Sequence, residues 1–335
     1  MPGELTQMRA VDAIVRTIVS NPDDIVYISG SLIEGFGNAS SDIDVFLVTA
    51  QQPEYRGPFG SVLGDFYLDL EVYRRGHMLE LASRLNALDP ADFRSVWLTP
   101  LAELDLYYRT LIGEAAHNPD GFASLRASFR RDVIERLLGA WCGLRYAASL
   151  QHAREELDAR RPVNAALAGQ AAAAFALDAY LAAHGEAFPS LKWRFDKLAR
   201  LQGAESGLYR RAWQLKAAGS QDPAAYLEAV AGLGEEQGMQ AYSAWSLDDV
   251  PLQRTGDSRR YEIAGDAYVV QDRRFVYGVD AGLRGVFDLL GAEADTRAGL
   301  ARELARASGV SETEAADRVR GAIAALQVRS LVRAY

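Results

Sequence analysis

The 335-residue chain is 49% apolar and 24% charged, the balance of an ordinary globular protein with room for two or three cores. Its 36 basic and 45 acidic residues leave a formal charge of −9 and a pI near 5.1, which speaks against a broad surface for a phosphate backbone and so against nucleic acid as partner. A single cysteine, Cys142, allows no internal disulfide, no apolar run reaches the ~20 residues of a membrane span, and Met1 to Ala10 is too short and polar for a signal peptide, so the expected compartment is the cytoplasm.

Leu5 to Val19 carries Met8, Val11, Ile14, Val15 and Ile18 at helical spacing, and Asn21-Pro22-Asp23-Asp24 ends it. Ile25 to Ser29 is rich in β-branched and aromatic residues and predicts a strand, after which Gly30-Ser31 turns the chain. Leu32 to Phe36 is expected as a short helix with Ser31 at its cap, broken by Gly35, Gly37 and Asn38. Ser41 to Val48 predicts a second strand, on which Asp42 and Asp44 point the same way, their Cα atoms roughly 6.5–7 Å apart. Two carboxylates this close repel unless a cation lies between them, and oxygen-only ligation suits Mg²⁺. Gly30 lets the backbone approach a bulky anion, and Ser31 adds a hydroxyl and an N–H.

Gln51 to Gly64, with two prolines and several glycines, reads as a loop. Phe66 to Tyr73 predicts a third strand with Asp69 and Glu71 on one face. Helices are expected over His77 to Leu88 and Pro100 to Glu114, and Asn118-Pro119-Asp120-Gly121 breaks the chain. Phe122 to about Gly238 is helical by pattern, with a fresh helix starting at Pro189-Ser190 and running through Lys192, Trp193, Arg194 and Lys197. Periodicity is lost over Gly238 to Ser258, which reads as a linker. Short strands follow at Tyr261 to Ile263, Ala267 to Val270 and Phe275 to Val279, then helices at Ala281 to Leu290, Arg297 to Ser308 and Glu312 to Gln327, the last with Ser311 and Glu314 placed as a capping box.

A strand, Gly30-Ser31, a glycine-bearing spacer, Ser41-Asp42-Ile43-Asp44 and an apolar strand together resemble the DNA polymerase β-like nucleotidyltransferases, and within them the aminoglycoside adenylyltransferases, which continue with a Leu/Val-Glu-Val strand and a helical domain. The resemblance implies Asp42 and Asp44 as catalytic and metal ligands, with Mg²⁺ and a nucleoside triphosphate, ATP first, as co-substrate. It carries the third carboxylate to Glu71, in Leu70-Glu71-Val72, with Asp69 as the alternative because one sequence does not fix strand register. It also implies nucleotide contacts from Gly30, Ser31 and Ser41, and charge neutralisation by Lys192, Arg194 or Lys197.

The last quarter, with "VYGVDAGLRGVFDLL" before "LARELARASGVSETEAADRVRGAIAALQVRSLV", resembles the PqqD-like winged-helix domains, which bind precursor peptides by strand addition. The expected architecture is therefore α+β: a nucleotidyltransferase domain with a mixed sheet at 1–117, an all-α bundle at 118–245, a linker at 246–258 and a PqqD-like domain at 259–335. A precursor peptide, or a peptide-linked metabolite, is the expected acceptor, with a small aminoglycoside-type compound as the alternative. A third expectation is a binding protein that keeps the fold as a scaffold. Helical domains of this superfamily also mediate homodimers.

Overall fold

A computed structural model describes residues 11–38, 41–50, 59–63, 66–187, 191–217, 222–246, 248–254, 258–263, 266–271, 275–290, 295–328 and 332–334. The fold is α+β. It divides into two compact units, one made of Met1–Asp92, Thr99–Gly143 and Ala173–Gly219, the other of Phe93–Leu98, Leu144–Ala172 and Ser220–Tyr335.

The first unit is built on a five-stranded mixed sheet. Its strands are β1 (Ile25–Ser29), β2 (Ile43–Thr49), β3 (Phe59–Leu63), β4 (Phe66–Arg74) and β5 (Glu114–His117), in the order β3-β4-β2-β1-β5. Only the β2–β4 pair is parallel. Alternation along the strands sorts the two faces. Val26, Ile43, Val45, Leu47, Leu68 and Val72 pack with Val11 and Ile14 of helix α1 (11–18). The opposite face carries Tyr27, Ser29, Asp44, Phe46, Asp69, Glu71 and Tyr73, and its apolar half is an aromatic stack. Tyr27 lies 4.8 Å from Phe46 and 4.8 Å from Phe122, ring centroid to ring centroid.

Helices α2 (Arg75–Ala87), α4 (Leu101–Ile112) and α5 (Pro119–Arg126) complete this part of the unit. Asn118 caps α5 by accepting from Gly121 N–H, with Pro119 at its first position, where a missing N–H costs nothing. Buried Tyr27 Oη and Thr110 Oγ1, 2.9 Å apart, and the Ser29 hydroxyl, donating to Arg109 O at 2.8 Å, fix α4 on the polar face of the sheet. Helix α3 (Phe93–Leu98) belongs to the second unit, and the division falls within the long helices α6 (Arg131–Asp158) and α7 (Pro162–Ala183). Helices α8 (Arg194–Gln202) and α9 (Gly207–Ala217) return to the first unit. Helix α7 is long and apolar enough to cross a bilayer by length and composition, though no such run was expected. Two-thirds of its apolar window is buried within the chain, and its Asp178 accepts two 2.6 Å bonds from Arg194.

The second unit holds α10 (Pro223–Glu236) and two three-stranded sheets. One has β6 (Pro251–Arg254) between β10 (Asp295–Thr296) and β11 (Val332–Ala334); the other runs β7 (Ser258–Ile263), β8 (Asp266–Gln271), β9 (Phe275–Val279). Helices α11 (Ala281–Leu289), α12 (Arg297–Ser308) and α13 (Glu312–Val328) enclose a core of Leu252, Val269, Phe287, Leu300, Val319 and Ile323. Ser311 accepts from Glu314 N–H at 3.2 Å, the expected cap.

Several elements differ from the sequence expectation; the helix expected over Pro100 to Glu114 ends at Ile112 and β5 follows from Glu114, and α3, β10 and β11 were not foreseen. Residues 32–36 form a turn instead of a helix: Gly35 takes φ of 80°, and the N–H groups of Phe36 and Gly37 both return to Ser31 O at 2.9 Å. The stretch read as a loop contains β3, paired antiparallel with β4 from Phe59↔Leu70 to Leu63↔Phe66, while residues 51–58 lie outside the described part. The stretch read as a linker contains β6, whose Leu252 is buried in the core just described. Loss of helical period there marks a change of secondary structure.

Candidate active site

The Gly30-Ser31 turn leaves β1 at the end where β2 begins, because the two strands are antiparallel and Ser29 pairs with Asp44. Gly30 has φ of 80°, a conformation that costs L-residues roughly 1–2 kcal/mol. A Cβ at Gly30 would lie 1.8 Å from Asp44 Oδ2 and 3.2 Å from Arg109 Nη1. The absence of a side chain at Gly30 is therefore what gives the Asp44 carboxylate its place. Ser31 is 6% exposed, and its carbonyl closes the turn. Ser41 sits upstream of β2 in a local turn, its hydroxyl accepting from Asn38 N–H at 2.9 Å.

Register sets the two candidates for the third acid against different partners. In the parallel β2–β4 pair Asp44 stands opposite Asp69, while Glu71 stands opposite Phe46. The Glu71 carboxylate accepts a hydrogen bond from the Tyr73 hydroxyl. Burial, joined by the charge of Glu71, holds the Tyr73 phenol well above its ordinary range, so it remains a donor. Burial lifts the Asp44 carboxyl to about 6; Arg109 opposes the rise, and the charges of Asp42 and Asp69 add to it.

Arg109, on α4, was not singled out by the sequence. Its Nη1 is 3.0 Å from Asp44 Oδ1, and its Nε donates to Asp105 Oδ2 at 2.6 Å. Burial raises the Asp105 carboxyl, and Arg109 works against that rise. The one signal in the sequence was the i,i+4 spacing of Asp105 and Arg109 on a helix.

The basic residues expected at the phosphates divide. Lys197 is 1% exposed, and its ammonium donates to both oxygens of Glu34 at 3.1 Å and to Ala187 O at 3.3 Å, with Glu186 at 3.6 Å. Tyr108 also donates to Glu34, and Arg200 donates to its carboxylate and to its backbone oxygen. Lys197 thus anchors the turn that carries Gly30 and Ser31, its charge taken up by Glu34. Burial opposes ionisation of Glu34, but the Tyr108 hydrogen bond and the two cations outweigh it and hold its pKa below the usual carboxylate range. Arg194 is taken up by Asp178 in the same way. Lys192 is exposed in the single 3-10 turn Leu191–Trp193, its Nζ 5.3 Å from the Trp193 ring. Trp193 in turn stacks on Phe36 at 5.4 Å.

Among the described residues no three acidic, histidine or cysteine side chains are drawn together at ligand distance. The donor chemistry nevertheless fits a hard dication. Asp42, Asp44 and Asp69 are oxygen donors near one end of the central strands, and burial and mutual repulsion already work against the charge on Asp44. Among the described residues, the cation that Asp44 reaches is Arg109.

Gly30→Ala should lower any activity of this site about 10²-fold, because the new methyl must push the Asp44 carboxylate aside by an ångström or more. Turnover of the purified variant, with thermal unfolding as the fold control, checks this; activity within threefold of wild type would mean that the carboxylate position is not what matters.

No protein-family model matches the chain, and no curated protein matches it. Among solved structures it is similar to a nucleotidyltransferase-like protein from Exiguobacterium sibiricum, at 14% identity and a TM-score of 0.39, over 69% of this chain and 74% of that one. A likeness of that size decides neither the family nor the activity.

Proposed function

We propose that the chain is a Mg²⁺-dependent nucleotidyltransferase that moves a nucleoside monophosphate, AMP first, from its triphosphate to an acceptor hydroxyl. The observation that carries this reading is that Asp69 stands in register with Asp44 on the neighbouring parallel strand, with the charge of Asp42 also acting on Asp44, beside a glycine turn with no room for a side chain. Asp42, Asp44 and Asp69 would hold the dication, which when bound supplies charge stabilisation for the phosphates and the leaving pyrophosphate. The chain's own part is positioning. Gly30 and Ser31 bring backbone close to the triphosphate, and the Glu34–Lys197 cluster keeps their turn in place. The acceptor oxygen forms its bond to the α-phosphorus as the α–β anhydride breaks, and the hydroxyl proton passes to a carboxylate. Glu71, two register pairs beyond Asp69 and bonded to Tyr73, would take that proton.

For the acceptor, the favoured reading is a precursor peptide. It is supported by the antiparallel β7-β8-β9 sheet followed by three helices, with β7 at an edge and its Tyr261 and Ile263 47% and 61% exposed. The test is transfer of label from each α-labelled nucleoside triphosphate into extract of the source cells. Label should enter a non-dialysable peptide fraction with release of pyrophosphate, and an extract dialysed beforehand should still be labelled. Label entering only small molecules would move the acceptor to the hydroxylated small-compound class. No transfer from any of the four triphosphates would remove the reading.

A further inference from the structure

Arg109 is held at one end and loosely engaged at the other. Nε is fixed on Asp105 at 2.6 Å, within its own helix. Nη1 is buried and lies 3.0 Å from Asp44 Oδ1, yet it is out of line for a hydrogen bond and has no hydrogen-bond partner among the described residues. A buried guanidinium nitrogen that has its carboxylate at ion-pair distance but poorly aligned keeps donor capacity for a better-placed acceptor. The same atom is 3.2 Å from where a Gly30 Cβ would be, so this donor lies beside the backbone that a bulky anion would approach. Helix α4 is held firmly on both sides of Arg109, by Tyr108 on Glu34 and by Thr110 on Tyr27, so the guanidinium moves by its own side-chain torsions.

Charge balance narrows the choice of anion. Asp44 and Asp105 share this one guanidinium. If a dication took Asp44, Arg109 would be released from it with a planar set of donors, suited to two oxygens of a phosphate. A monoanionic carboxylate ligand would instead add to the repulsion from Asp42, Asp44 and Asp69 without bringing the cation that relieves it.

We propose that Arg109 and a divalent cation are alternative partners of Asp44, and that Arg109, still anchored on Asp105, passes its Nη1 donor to a phosphate oxygen when a metal–polyphosphate binds. The inference rests on the nucleotidyl-transfer reading and assigns it a phosphate ligand from α4, a helix that sequence gave no role. Arg109 thereby keeps Asp44 from meeting Asp42 and Asp69 uncompensated until the phosphates arrive.

The test is calorimetric titration of wild type, Arg109→Gln and Arg109→Lys with two base-independent probes, Mn²⁺ alone and Mg²⁺-tripolyphosphate. Loss of a charge-assisted bond should weaken tripolyphosphate by about tenfold or more in Arg109→Gln. Removal of a competing cation should tighten Mn²⁺ by about threefold. Arg109→Lys cannot hold Asp105 and Asp44 together, so it should move both affinities in the same two directions by less, and it decides the matter should the glutamine variant fail to fold. Affinities that change in parallel, or not at all, overturn the proposal and leave the nucleotidyl-transfer reading standing. A wild type that binds neither probe removes both.

Discussion

Asp44→Asn should abolish transfer, lowering turnover by about 10³-fold or more, while the protein stays folded. The substitution keeps the shape of the side chain and removes its charge. The fold should tolerate this because burial and the charges of Asp42 and Asp69 already disfavour the Asp44 carboxylate, so what is lost with the Arg109 ion pair is offset by relief of repulsion. The unfolding free energy should therefore change by no more than about 1 kcal/mol. The neighbouring acids then separate by role. Asp69→Asn, opposite Asp44, should weaken Mn²⁺ binding, whereas Glu71→Gln, opposite Phe46 and bonded to Tyr73, should leave Mn²⁺ binding intact and lower kcat. Full activity of Asp44→Asn would end the metal assignment, and the reverse pattern at Asp69 and Glu71 would return the third ligand to Glu71.

The second large effect is on stability. Lys197→Met removes the buried cation that faces Glu34 and leaves the carboxylate with Arg200 and the Tyr108 hydroxyl. Breaking a buried pair from one side costs about 3–5 kcal/mol, and the surviving Arg200 bond places the expected loss at about 3 kcal/mol. That corresponds to a fall in Tm of ~6–12 °C. The double variant Lys197→Met/Glu34→Gln should recover part of it, because the orphaned charge is gone. The sign with pH follows from the lowered pKa of Glu34. Its contribution is present above the unfolded pKa of about 4.3 and is lost as pH falls through the folded value, so the Lys197→Met penalty should be full at pH 7 and shrink below about pH 4. A penalty that stays constant from pH 7 to pH 3 would show that Lys197 contributes packing alone.

The strands that carry the acids were legible because each is written in local terms. Ile25–Ser29 is β-branched and aromatic, and Phe66–Arg74 alternates acid with apolar residue. Strand β3 was hidden because its residues serve a neighbour. A Cβ at Gly60 would be 2.2 Å from Tyr67 Oη, so a glycine that reads as a loop residue is the gap into which Tyr67 packs. Register between β2 and β4 has no trace in one sequence, so which of Asp69 and Glu71 faces Asp44 could not be read from it. The contacts of Lys197 and Arg109 were not legible for the same physical reason. A cation's role is set by the anion it meets, and Glu34 is 163 residues from Lys197 while Asp44 is far from Arg109 in the chain.

Transfer requires a site for a metal–nucleotide at Asp42, Asp44 and Asp69. Its most direct test is titration of the full chain with each nucleoside triphosphate, with and without Mg²⁺, beside an Asp42→Ala/Asp44→Ala variant. The expected result is Mg²⁺-dependent binding of one triphosphate, ATP first, lost in the variant. Binding that is indifferent to Mg²⁺ and survives the double substitution would contradict the account.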